Sequence, residues 1–147
     1  MSYIIEEAVI HSEGIHSAVV SLTKQLDAHA SEIYPEDLKD IISSPTTYLF
    51  LAKDTEKAEI IGMITLVTYR IPYKKKGVLE DLVVDEHHRG KGLGEALVKK
   101  ALEKAKELQI TTVDLTSRPD REGANRLYQK MGFEKRETNV YRVHLTN

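Results

Sequence analysis

The chain contains no cysteine. That absence removes a disulfide framework, a thiolate nucleophile and every Cys-ligated zinc or iron–sulfur centre. No uninterrupted apolar run approaches the ~20 residues of a membrane span, so no membrane partner is expected. A net charge of -2 gives no overall attraction for nucleic acid. The opening MSYIIEEAVIHSEG carries Glu6 and Glu7 and has no long apolar core, unlike a secretory signal, so a cytoplasmic location is the expectation. Repeats, low-complexity tracts and linkers are also missing. What is left, 147 residues with 41% hydrophobic and 30% charged content, reads as one globular domain over 1–147. His87 and His88 adjoin, while His11, His16, His29 and His144 are scattered without ligand spacing, so no metal is expected.

Apolar periodicity supplies the elements. Residues 3–10 read as a strand, and Ile15, Val19, Leu22 and Leu26 recur at helical steps within 14–29. Pro35 opens a short helix over 36–42, which Ser43, Ser44 and Pro45 end. Strands follow at 48–52, 60–69 and 78–84, with Lys74, Lys75 and Lys76 in a solvated connection. A helix over 95–108 buries Leu97, Val98, Ala101, Leu102, Ala105 and Leu108, and a buried strand covers 110–115. A helix at 122–131 stops at Gly132, and 133–145 supplies one or two final strands. The order β-α-α-β-β-β-α-β-α-β predicts an α/β fold of mixed α+β type, with a right-handed βαβ unit over 78–115.

The run VVDEHHRGKGLGEAL, residues 83–97, joins a strand to a helix through three alternating glycines and two cations. Glycines at a helix start expose backbone N–H groups that the first turn leaves unpaired, and the helix dipole adds positive character there. Anion binding is the functional reading; a plain strand-to-helix turn with solvated basic residues is the alternative. No P-loop string G-x-x-x-x-G-K-[ST] occurs. The dinucleotide fingerprint fails as well, since Leu97 stands where its third glycine belongs, although Asp114 lies at a suitable distance.

Arg89-Gly90-Lys91-Gly92-Leu93-Gly94 is similar to the R/Q-x-x-G-x-G/A string of the GNAT superfamily, the acetyl-CoA-dependent N-acetyltransferases. ANRLYQKMGF, residues 124–133, resembles that family's A-x-x-L-Y-x-x-x-G-F segment, in the same order and at a matching spacing. The resemblance implies a central mixed sheet of about six to seven strands flanked by about four helices. It implies acetyl-CoA as cosubstrate, with the pyrophosphate on the amides of Arg89, Gly90, Lys91, Gly92, Leu93 and Gly94. The strand before that loop splays from its neighbour in the family, so main-chain groups of Leu82, Val83 and Val84 would pair with pantetheine, as an added strand does. Their side chains would be buried either way.

Tyr128 matches the tyrosine that lies near the coenzyme's sulfur and protonates the departing thiolate, unless it serves only as a core aromatic. Many members carry asparagine seven residues earlier; here that residue is Arg121, while Asn125 stands three before Tyr128. Either side chain would reach the cofactor or remain on the surface. Thr116 replaces the glutamate of some members that acetylate protein N-termini, which counts against that substrate class.

Acetyl transfer needs a neutral amine, hence a base, and a stabilised oxyanion. Glu80 and Asp81 lead into the cofactor loop, and strand alternation predicts opposite faces for them. Glu80, expected to share a face with Leu82 and Val84, is favoured over Asp81; an ion pair with basic neighbours is the alternative for each. By resemblance, the N–H of Leu82 or Val83 is the oxyanion donor. The amine acceptor would sit between 25–34 and 68–73, where Glu32, Glu36 and Asp37 suit a cation. A non-catalytic acyl-CoA-binding or sensor domain is the competing function. Residues 140–145 offer a strand for pairing across a homodimer.

Overall fold

A computed structural model describes residues 2–146; Met1 and Asn147, the ends of the expected domain, lie outside the described residues. The described residues fall into two compact units divided between Thr116 and Ser117.

The first unit runs β1 (Tyr3–Glu7), α1 (Glu13–Leu26), α2 (Pro35–Ser43), β2 (Thr47–Asp54), β3 (Glu59–Ile71), β4 (Lys74–Val84), α3 (Leu93–Glu107) and β5 (Val113–Asp114). The strands form one sheet in the order β1-β2-β3-β4-β5. Pairings from β1 to β4 are antiparallel, and β5 joins β4 in parallel, as the βαβ pattern predicts. Local chemistry sets the helix starts. Ser12 Oγ accepts from the Ile15 N–H at 3.2 Å, which satisfies one of the donors α1 leaves open. Pro35 begins α2, and the Asp37 carboxylate accepts from the Tyr34 N–H at 3.1 Å.

Leu49, Phe50, Leu51 and Ala52 are buried in succession, so the middle of the sheet is covered on both faces. On one face Val19 and Leu22 of α1 and Leu38 of α2 pack with Leu49, Leu51, Met63 and Val83. On the other lies α3, whose Leu97, Val98 and Ala101 have no exposed surface. A Cβ at Gly62 would come within 3.1 Å of Leu97 Cδ1, so the missing side chain lets α3 sit close to β3. Each large side chain buried this way contributes about 1.5–3 kcal/mol.

Several expectations for this unit change, beginning with the opening strand, which ends at Glu7 and not at residue 10. The strand expected over 110–115 shrinks to Val113–Asp114. Lys74, Lys75 and Lys76, expected in a solvated connection, belong to β4, because Ile71 pairs with Lys74 across the two-residue turn Pro72-Tyr73. The run tolerates a strand because each ammonium reaches a partner: Thr112 Oγ1 at 3.4 Å for Lys74, the Leu108 carbonyl at 3.1 Å for Lys75, and Asp114 at 3.6 Å for Lys76.

In the second unit α4 (Glu122–Lys130) is followed by Gly132 at φ +95°. The one or two strands expected over 133–145 do not form, so the described sheet has five strands rather than six or seven. Four charged residues in a row, Glu134 to Glu137, begin the segment. Beyond them Val140, Tyr141, Val143 and Leu145 are all at least 76% exposed. Alternation yields a strand only where a neighbouring backbone takes up the ladder and buries one face.

Candidate active site

β4 outruns its parallel neighbour. The ladder to β5 consists of Gly77↔Val113 and Val78↔Asp114, whereas β4 continues to Val84. From Leu79 onward only the β3 side of β4 is paired among the described residues, and the three residues Leu82, Val83 and Val84 lie in that stretch. Leu82 and Val83 bury their side chains, so what this edge offers outward is main chain.

A bulge shapes the same stretch. Met63 pairs with Val83 and Thr65 with Glu80, so two steps along β3 match three along β4. The extra residue is accommodated at Asp81, which adopts φ +54°, a left-handed conformation that Asp tolerates better than most side chains. The bulge overturns the expected alternation. Glu80 and Asp81 are both exposed, and Leu82 and Val83 are both buried. Glu80 falls in the cross-strand row Leu49–Thr65–Glu80, beside the row Leu51–Met63–Val83 on the face of α1 and α2. It shares that face with Val83, not with Leu82 and Val84. Partial burial and then the charge of Asp81 hold the Glu80 carboxyl above its ordinary value.

Past Val84 the chain makes a single 3-10 turn, Glu86–His88, before Arg89. Asp85 governs this turn: its Oδ2 accepts from the His87 N–H at 3.2 Å and lies 2.8 Å from His88 Nδ1. Burial alone would raise the Asp85 carboxyl, but hydrogen bonds from Gln25, His88 and the His87 backbone outweigh it and lower it. Asp85 is the residue that sequence reasoning misses here. A carboxylate directly after a strand, two residues before an N–H it can accept, is the local signal available.

The glycines have separate duties. Gly90 and Gly92 adopt φ +78° and +81°, and a Cβ on either would meet nothing within 4 Å, so conformation and not space demands glycine. Gly92 is the N-cap of α3 and brings no side chain to the helix start, and Gly94 is already helical. Leu93 is buried and anchors the first turn, while Arg89, Gly90, Lys91 and Gly92 are exposed. A glycine-capped helix start, an open glycine cradle and two cations fit a diphosphate, and the single-sided β4 edge fits a chain of amides. Both fit coenzyme A. Asp114 is the last residue of β5, and its carboxylate lies 3.6 Å from the Lys76 ammonium.

In the second unit Arg121, Asn125 and Tyr128 share α4 and its N-cap. Asn125 Nδ2 donates to the carbonyls of Arg118 and Arg121, both at 2.9 Å, and so organises the loop that enters the helix. Tyr128 is 8% exposed and meets Phe133 edge-on, with ring centroids 5.8 Å apart. Burial raises the Tyr128 phenol above its usual value, against an opposing pull from the Arg121 charge. Among the described residues no cluster of His, Asp and Glu could hold a metal, and no helix is long and apolar enough to cross a membrane.

The model of the Acetyltransferase (GNAT) family matches residues 16–133. An uncharacterized N-acetyltransferase of Methanocaldococcus jannaschii is 37% identical over 59 residues, 40% of this chain and 26% of its own length. N-acetyltransferase 8 of Homo sapiens is 31% identical over 99 residues, 66% of this chain and 43% of its own. The chain spans less than half the length of these relatives. Among solved structures, an aminoglycoside acetyltransferase from an uncultured soil metagenomic sample, in complex with sisomicin, superposes with a TM-score of 0.84 at 17% identity, over 99% of this chain and 97% of that one. AAC(6')-Iy, in complex with the bisubstrate analog CoA-S-monomethyl-acetylneamine, superposes with a TM-score of 0.81 at 16% identity, over 99% of this chain and 100% of that one. At that identity the likeness is one of fold.

Proposed function

Because the chain belongs to the GNAT family of acetyltransferases, we propose that it transfers acetyl from acetyl-CoA to a primary amine, on a small molecule or a protein, by direct attack in a ternary complex. The junction of β4 and α3 carries this reading: a strand edge free of β5 beyond Val78 runs into a glycine-capped helix start. Acetyl-CoA supplies an acyl group already activated as a thioester. The protein's part is to grip the diphosphate with the amides and cations of residues 89–94, and to pair main chain of Leu82, Val83 and Val84 with the pantetheine amides.

Glu80 takes a proton from the acceptor ammonium, and its raised carboxyl brings it nearer to neutral pH as a base. Asp81 holds Glu80 there by its charge. An N–H of Leu82 or Val83 stabilises negative charge on the acyl oxygen. The phenol of Tyr128, raised and therefore protonated, donates to the departing sulfur. An N–C bond forms and a C–S bond breaks; of the two protons that the ammonium nitrogen gives up, the one taken by Glu80 passes to solvent, and the other balances the one gained by sulfur from Tyr128. With no cysteine in the chain, a thioester relay through the enzyme has no carrier. Arg121 and Asn125 are assigned to contacts with the cofactor, and Asn125 also holds the loop before α4.

Thermal shift and thiol release test the reading together. Acetyl-CoA should raise the melting temperature while NAD and ATP do not, and a panel of primary amines should release free thiol from acetyl-CoA. No shift at millimolar acetyl-CoA would overturn the proposal. A shift without thiol release on any amine would favour an acyl-CoA sensor instead.

A further inference from the structure

Gln25 is the penultimate residue of α1, and it reaches across to the start of the cofactor loop with both ends of its amide. Its Nε2 donates to Asp85 Oδ1 at 2.9 Å, and its Oε1 accepts from the Glu86 N–H at 2.9 Å. The two bonds fix the amide's orientation, since the carboxylate can only accept and the backbone N–H can only donate. Asp85 is meanwhile held by β3, its own N–H donating to the Ile61 carbonyl at 2.8 Å. Its other carboxylate oxygen organises His87 and His88. A continuous chain of bonds therefore runs from α1 through Asp85 into the turn that delivers Arg89.

The stem of this clamp is rigid. Leu22, one turn before Gln25, is 2% exposed, and Val19 is 6% exposed in the same cluster. At the far end Arg89 to Gly92 are exposed, Arg89 Nε donates to the Val84 carbonyl at 3.1 Å, and Gly92, the N-cap of α3, brings no side chain to the helix start. Two glycines in left-handed conformations give that loop wide backbone freedom. An ordered approach to a diphosphate then depends on the fastening just upstream.

We propose that Gln25 is a positioning residue for the cofactor loop: by gripping Asp85 and Glu86 together it fixes the turn from which residues 89–92 meet the diphosphate of coenzyme A. The inference rests on the assignment of that loop under the proposed function. Gln25 touches no reacting atom in this scheme. Its chemistry is specific, because a carboxamide donates to Asp85 and accepts from Glu86 at once whatever the pH.

Three variants and two measurements test it. Gln25→Met keeps the volume and removes both bonds. Val19→Ala loosens the same helix without touching the clamp. Gln25→Glu keeps the acceptor but, when ionised, sets a carboxylate against Asp85, and it regains a donor only when protonated. Coenzyme A affinity is measured by calorimetry, and amide hydrogen exchange is followed over 86–92 in the protein alone. Gln25→Met should bind about tenfold more weakly and exchange faster over 86–92. Val19→Ala, with a comparable loss of melting temperature, should do neither. Gln25→Glu should bind weakly at pH 8 and recover toward wild type at pH 5.5, with wild type measured in parallel because Asp85, Glu86, His87 and His88 are ionisable groups of the same turn. Unchanged loop exchange in Gln25→Met, or equal weakening in Val19→Ala, overturns the inference. Wild type failing to bind coenzyme A overturns the proposed function instead, while loop exchange still decides the role of Gln25.

Discussion

Arg89 donates from Nε to the Val84 carbonyl at 3.1 Å, folding the start of the loop back onto the end of β4. The bond uses one donor of the guanidinium fork, and the rest of the fork keeps its full charge. Arg89 thus both orders the loop and supplies charge to it. Arg89→Lys retains the charge and loses the fork, so coenzyme A affinity should fall about tenfold, or about 1.4 kcal/mol. Arg89→Ala should fall further. Raising the salt should narrow the gap between Lys and Ala, because only the charge contribution is screened. Calorimetric titration at low and high salt reads both effects; a gap indifferent to salt would assign Arg89 to loop order alone.

Two glycine substitutions separate conformation from space. Gly92→Ala places a Cβ in open space but at φ +81°, so its cost is backbone strain of about 1–2 kcal/mol. That strain falls on the α3 N-cap, and coenzyme A affinity should drop with stability. Gly62→Ala has ordinary φ but sets a Cβ 3.1 Å from Leu97 Cδ1 and 3.3 Å from the Val83 carbonyl. Overpacking there should cost about 1–3 kcal/mol in chemical denaturation. Affinity should suffer less than in Gly92→Ala. The reverse order would mean that α3 packing, and not its cap, sets the cradle.

The sequence made α1, α2, α3 and the run of strands legible because their apolar residues recur at the period of the element that buries them. The cradle was legible for a different reason: glycine, arginine and lysine at a helix start leave few chemical options. The bulge was not. Asp81 carries no mark that it will take a left-handed φ, and strand alternation alone put Glu80 on the wrong face. Nor was the Gln25 clamp legible, since its partners lie 60 and 61 residues away. Residues 140–145 alternate as a strand should, yet a pattern within one segment cannot supply the neighbour it needs.

Tyr128→Phe removes the phenol and leaves the ring that meets Phe133. Turnover should fall on the order of a hundredfold, the usual scale for loss of a general acid, while coenzyme A affinity changes little. Since the Arg121 charge opposes the rise of the phenol, Arg121→Ala should carry any alkaline limb of the rate profile to higher pH. Equal losses in binding and turnover for Tyr128→Phe would reduce Tyr128 to a packing residue.

Glu80 makes the sharpest claim on pH. Its carboxyl is raised by partial burial and by Asp81, and it must be ionised to act as base. The rate should therefore climb with pH through a pKa above the ordinary value of a glutamate. Asp81→Asn removes the like charge and suits the left-handed φ, so it should move that limb to lower pH. Glu80→Gln should abolish the limb and slow turnover about a hundredfold. Stability should move the other way. A carboxyl raised on folding favours the folded state fully below its unfolded pKa, and that contribution is lost as pH rises through the folded pKa. Glu80→Gln has no such loss, so its melting temperature relative to wild type should be higher at neutral pH than in acid. If instead the acid limb survives in Glu80→Gln and shifts with Asp81→Asn as before, the base is some other group that feels Asp81.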